Sequence, residues 1–197
     1  MVCTGTELLS GVPTKKTTYA NECPKCGGYS QKGPFHISKE PRLGKRRFRS
    51  LYWTYVVLCT PEVLEGLRAS DIVGYEEWPV LLRRTREPST QVSQLVFPVV
   101  AAPGLADESK LEPATCPVCG LTKYGFCKRD QLHIKRESLS TDVDAQLTYE
   151  WFGSGRYGGF REILVSNRLA RRGPATHQAG LKYSQRCIAA ENENART

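Results

Sequence analysis

The sequence predicts an α+β protein: a split zinc ribbon built from two CPxCG knuckles, with an inserted strand-helix-strand unit and a C-terminal β-β-α-β segment. Three observations predict it. The phrase Cys-Pro-x-Cys-Gly occurs twice, in "ECPKCGG" (Glu22–Gly28) and "TCPVCGL" (Thr115–Leu121). Between the copies, β-branched and aromatic runs surround one well-marked helix signature. After the second copy, short apolar runs are separated by acidic and glycine-rich turns. The expected units are an N-terminal lead with the first knuckle (1–35), an inserted α+β unit (36–110), the second knuckle (111–137), a C-terminal α+β segment (138–190) and a polar tail (191–197).

Each CPxCG phrase has a direct physical reading. Two cysteines three positions apart put both sulfurs on one side of a tight turn. The proline restricts the backbone, and Gly27 or Gly120 supplies the φ > 0 residue that turns amide N–H groups toward the sulfurs. One such turn offers two ligands, whereas structural zinc takes four in a tetrahedron at about 2.3 Å for sulfur. Cys23, Cys26, Cys116 and Cys119 are therefore the candidate ligands of one structural Zn2+. A thioredoxin-like redox motif or a pair of disulfides is the rival reading of CxxC. Redox chemistry needs one copy at a helix N-terminus after a strand, and neither copy has that setting. Zinc ribbons usually separate their pairs by about 15–20 residues. Here the separation is far longer, so the insertion must fold and return to its starting point.

In order along the insertion, Ser50–Thr60 ("SLYWTYVVLCT") is aromatic and β-branched and predicts one buried strand. Thr60–Ile72 predicts a helix, with Thr60 as N-cap, Pro61 in the first turn, Glu62 and Glu65 near the positive end of the dipole, and Val63, Leu64 and Leu67 as its apolar face. "GYEEWPVLLRRT" and "VSQLVFPVVA" (Val92–Ala101) predict two further strands. In the last third, Leu139–Leu147 reads as an acidic turn and "LTYEWF" as a strand. "SGRYGG" reads as a hairpin turn, since a phosphate loop requires a following helix and none is present. Glu162–Val165 is a short strand leading into a helix capped by Ser166, and "AGLKYSQRCI" is a last strand after a stop at Gly180.

The chain has 197 residues, eight cysteines, three histidines and a formal charge of +8. No apolar run approaches the ~20 residues of a membrane span. "MVCTGTELLSGVPTKK" lacks the basic and apolar regions of a secretory signal, so a reducing cytoplasm is the expected compartment. Cys59 sits in an apolar run and reads as a core residue. Cys127 is the one plausible substitute ligand, and Cys3 and Cys187 have no assigned role. His36, His133 and His177 form no catalytic pattern. Asp142 and Asp144 read as turn and capping residues.

Taken together, the two CPxCG turns, "STDVD" (Ser140–Asp144), the "ILVS-x-RL" step at Ile163–Leu169 and "AGL" at Ala179–Leu181 resemble the double-CXXCG motif proteins of myxobacteria. The resemblance runs from about Cys23 to Arg186. It departs at Asn167, where the family more often has an acidic residue, and at Gly173–Gln178, where Gly and Pro interrupt the expected helix. That group includes immunity proteins of polymorphic toxin systems. The resemblance thus implies a non-enzymatic, zinc-stabilised protein that neutralises a cognate toxin, encoded next door, by occluding it. The basic residues Arg46, Arg47, Arg49, Arg168, Arg171 and Arg172 are the candidate partner contacts, since a positive surface steers capture of an acidic partner. The alternative is a zinc-ribbon nucleic-acid-binding protein, suggested by a sequence pI of about 9.1 and by aromatics beside arginines in "RFRSLYW". A CxxC redox enzyme is the third reading.

Overall fold

A computed structural model describes residues 19–20, 23–28, 30–41, 47–51, 56–125, 132–153 and 159–172. Over these residues the chain is mixed α+β and mostly sheet. The strands are β1 (Tyr19–Ala20), β2 (Ser30–Gln31), β3 (Phe35–Ile37), β4 (Phe48–Leu51), β5 (Val56–Cys59), β6 (Glu76–Leu82), β7 (Pro88–Val96), β8 (Pro113–Thr115), β9 (Thr122–Tyr124), β10 (Ala145–Leu147), β11 (Trp151–Phe152) and β12 (Ile163–Val165). Two α-helices accompany them, α1 (Pro61–Ala69) and α2 (Asn167–Arg172).

The insertion is larger than strand-helix-strand. It forms a five-stranded sheet in the order β3-β6-β7-β5-β4, in which β3 runs parallel to β6 and the other neighbours are antiparallel. The single strand expected over Ser50–Thr60 is two strands. β4 pairs antiparallel with β5, Leu51 opposite Val56, so the chain reverses inside the aromatic run. β-propensity marks residues that suit a sheet but carries no information on where a chain turns back within it. Trp53 and Tyr55 lie outside the described residues.

β5 lies between β7 and β4 and is buried at all four positions. Its alternate residues serve opposite faces, as the strand period requires. Val57 and Cys59 join Phe48, Val63, Leu64, Leu67, Ile72 and Leu95 in the core under α1. Val56 and Leu58 join Phe35, Ile37, Val80 and Val92 on the other face. Cys59 is thus the core residue expected of it, and burial pushes its thiol up to about 12.

α1 begins as expected, with Thr60 extended at the N-cap, Pro61 in the first turn and Val63, Leu64 and Leu67 buried. The cap is made by backbone alone. The Thr60 carbonyl accepts from Val63 N at 3.1 Å, while its hydroxyl makes no capping hydrogen bond. β7 starts earlier than the expected Val92 and ends at Val96, just before Phe97-Pro98, where proline would break the ladder.

The C-terminal part also differs from expectation. β10 forms within the stretch read as an acidic turn and pairs with β12, Gln146 opposite Leu164. "LTYEWF" is divided between sheets: Leu147 closes β10, and Trp151–Phe152 forms β11 beside β9. Phe152 and Phe160 exchange backbone hydrogen bonds of 2.7 and 2.9 Å, so the chain returns antiparallel across "SGRYGG", as a hairpin would. Residues 154–158 and the expected last strand lie outside the described residues. Ser166 caps α2 through its Oγ, which accepts from Leu169 N at 3.1 Å. Ile163 and Leu169 pack onto the α1 core and so tie this segment to the insertion.

Candidate metal centre

The two CPxCG turns have the same local build. Each lies between two short antiparallel strands, β1 and β2 around the first and β8 and β9 around the second. In the first, Gly27 N donates to Cys23 O at 2.8 Å and Cys23 N to Gly28 O at 2.9 Å. In the second, Gly120 N donates to Cys116 O and Cys116 N to Leu121 O, both at 2.9 Å. Gly27 (φ 64°) and Gly120 (φ 72°) occupy the left-handed region that the turn demands at that position.

The turns face one another. Cys23 Sγ lies 3.8 Å from Cys116 Sγ, and Cys26 Sγ lies 3.5 Å from Cys119 Sγ. All four sulfurs fall within 4.8 Å of one another. The edge of a tetrahedron with ~2.3 Å metal–sulfur bonds is about 3.8 Å, so the two cross-turn separations suit four ligands around one ion. They exceed a disulfide's ~2.05 Å, and all four cysteines are free. Both of these contacts run between the turns, which is the arrangement a shared ion needs.

The backbone prepares the sulfurs for this role. N–H groups of Cys26 and then Lys25 hold the Cys23 thiol below its ordinary value. The equivalent groups of Cys119 and Val118 pull the Cys116 thiol down to about 6. Both effects favour thiolate, the ligating form. Burial pushes Cys26 the other way, up to about 12. Cys23, Cys26 and Cys116 are buried and Cys119 is exposed, so the cluster opens to solvent on one side. Leu121 packs against the three buried cysteines.

Two features, one at the cluster and one away from it, were not legible as functional in the sequence. Lys123, in the middle of β9, is buried, and its Nζ donates to Cys26 O at 2.9 Å. Asp144 is buried and accepts from Val73 N (3.1 Å), Ser166 Oγ (2.6 Å) and Arg168 Nε (2.9 Å), with Arg168 Nη2 on its second oxygen. The Arg168 hydrogen bonds, then those of Ser166 and Val73, hold the Asp144 carboxyl well below the usual carboxylate range against the opposing effect of burial.

Of the expected partner contacts, Arg47 is exposed. Arg168 turns its guanidinium onto Asp144 and onto Asp71 O at 2.8 Å, leaving its side chain 43% exposed. Arg46 lies outside the described residues, as do the side chains of Arg49, Arg171 and Arg172. Cys3, Cys127, Cys187 and His177 also lie outside them. Asp142 is exposed beside the buried Asp144, and His133 is exposed. His36 is buried, its Nε2 3.0 Å from Arg86 Nη1; burial, then the charges of Arg86 and Arg83, lower its pKa. No helix among the described residues is long and apolar enough to cross a membrane. Compared with protein-family models, curated proteins and solved structures, the chain matches none.

Proposed function

We propose that the chain is a split zinc ribbon whose single Zn2+, held by Cys23, Cys26, Cys116 and Cys119, is structural, and that the protein acts by binding rather than by chemistry. The observation that carries this reading is the convergence of two similarly built turns on one four-sulfur cluster. An all-thiolate donor set suits zinc. Four protein ligands close a tetrahedral shell, with no position left for water or substrate, so the ion serves as a clamp and not as a Lewis acid. The clamp joins residues 93 positions apart and thereby fixes both ends of the five-stranded insertion.

The partner is a cognate bacterial toxin, which the chain neutralises as an immunity protein by covering it. Support for this step is the resemblance of the paired CPxCG turns and of Ile163–Leu169 to the double-CXXCG motif proteins, together with the +8 charge, which favours steered capture of an acidic face. The test is co-expression with the product of the adjacent reading frame. Rescue of growth with recovery of a stable one-to-one complex is expected. Protection without binding, or purification with nucleic acid that is released as salt rises, overturns the immunity reading and leaves the metal clamp standing.

A further inference from the structure

We propose that Lys123 is the internal counter-cation of the four-thiolate centre, setting how tightly the centre holds its ion and how readily its sulfurs react. The proposal rests on the zinc reading above and concerns the charge of that site rather than its ligands.

Lys123 is 4% exposed, an unusual place for an ammonium group. Burying such a charge is costly unless opposite charge and hydrogen bonds surround it, and an uncharged side chain such as Met would fill similar space at no such cost. One source of opposite charge stands beside it, at the backbone of a candidate ligand. Four thiolates around a divalent ion carry a net charge of about −2. Lys123 stands just after the second turn and reaches across to the first, where Nζ donates to the carbonyl of Cys26. Leu121, just before β9, and Lys123 within it are alternate residues of an extended stretch and lie on one side of it. Leu121 covers the buried cysteines. Gly159 lies against both side chains: a Cβ built there would stand 3.1 Å from Lys123 Cδ and 3.6 Å from Leu121 Cδ2. The stem is therefore packed in place, and the charged head is fixed on the backbone of a ligand.

An adjacent positive charge lowers the electron density available at the sulfurs. It strengthens retention of an otherwise dianionic centre and slows attack by electrophiles. A carbonyl hydrogen bond alone would do neither, which separates the charge from a mere packing role.

The experiment compares wild type with Lys123→Met, Lys123→Gln and Lys123→Arg. Zinc content is measured first. Zinc release driven by the neutral electrophile iodoacetamide is then followed with a chromogenic chelator. In cobalt-substituted protein, the thiolate-to-metal charge-transfer band is recorded. Lys123→Gln keeps a donor without the charge, and Lys123→Arg keeps the charge. Release about five- to tenfold faster in the Met and Gln variants, the order of a unit-charge interaction across a partly solvated site, together with a charge-transfer band at longer wavelength, is the expected result, with Arg close to wild type. A Gln variant that matches wild type in release and spectrum overturns the proposal, as does an Arg variant as fast as Gln. If Met prevents folding, the Gln and Arg pair decides. A wild-type protein without bound metal would overturn the zinc reading itself, a different and separately visible outcome.

Discussion

Asp144 and Arg168 hold one another across 24 positions, the carboxylate taking both Nε and Nη2 of the guanidinium. The same carboxylate accepts from Ser166 Oγ, which caps α2, and from Val73 N, just beyond α1. One buried side chain thus joins the insertion to the C-terminal segment.

Asp144→Asn is expected to destabilise the fold by about 2 kcal/mol, the scale of a buried, hydrogen-bonded charge pair moderated by the open side of Arg168. The pH dependence has a definite sign. Asp144 titrates lower in the folded than in the unfolded chain, so its contribution is complete above about pH 4 and is lost as pH falls below that. Urea midpoints of wild type and Asp144→Asn should therefore converge as pH drops from 5 toward about 2. A gap that stays constant over that range contradicts the assignment.

Purified protein should contain about one zinc per chain. Cys116→Ser removes a ligand and should lose both the metal and a large share of stability, because structural zinc binding is folding free energy. Cys59→Ser puts a hydroxyl in an apolar core, costing about 1–3 kcal/mol, and should retain the metal. Elemental analysis beside thermal melts separates the two. Equal metal loss in both variants would refute the ligand assignment.

A strong chelator at elevated temperature should lower the melting temperature of wild type and leave that of Cys116→Ser unchanged. Restored zinc should return the wild-type value, since an ion that binds only the folded state stabilises it by mass action. Persistence of the wild-type melt after verified removal of metal would show that the clamp contributes nothing.

Two glycines separate backbone strain from lack of space. Gly120 (φ 72°) has nothing within 4 Å of an added Cβ, so Gly120→Ala should cost about 1 kcal/mol, the left-handed penalty alone. Gly74 (φ 96°) would place that Cβ 2.3 Å from Ala145 O, so Gly74→Ala should cost about 3 kcal/mol or more. Denaturant titrations should rank them in that order, and the reverse ranking would mean that the Gly74–Ala145 contact does not exist.

On the immunity reading proposed above, charge reversal at Arg46, Arg47 and Arg49 should slow association with the toxin and weaken protection. Arg168→Glu, by contrast, should lower the melting temperature, because it opposes Asp144. Arg171 and Arg172 are the remaining expected contacts of the C-terminal cluster at which association can be probed. Surface plasmon resonance at two salt concentrations gives the association rates. Reversals at Arg46, Arg47 and Arg49 that leave those rates unchanged would exclude these arginines from the contact.

The sequence by itself determined the features written within a few residues. The CPxCG phrases name the four sulfurs and the glycine conformation of each turn; Thr60-Pro61 starts α1, Ser166 caps α2, and Val63, Leu64 and Leu67 mark a buried helix face. Each depends on local backbone geometry or on side-chain periodicity, both carried in neighbouring letters. Tertiary structure decided the rest. It reverses the chain between Leu51 and Val56, makes β10 from a stretch that reads as a turn, and buries Lys123 behind Cys26. It also turns Arg168, one of several alike in a basic run, onto Asp144. These outcomes are set by which distant segment arrives alongside. An arginine reads the same in sequence whether water or a buried carboxylate lies beside it, and only the folded chain brings that carboxylate within hydrogen-bonding reach.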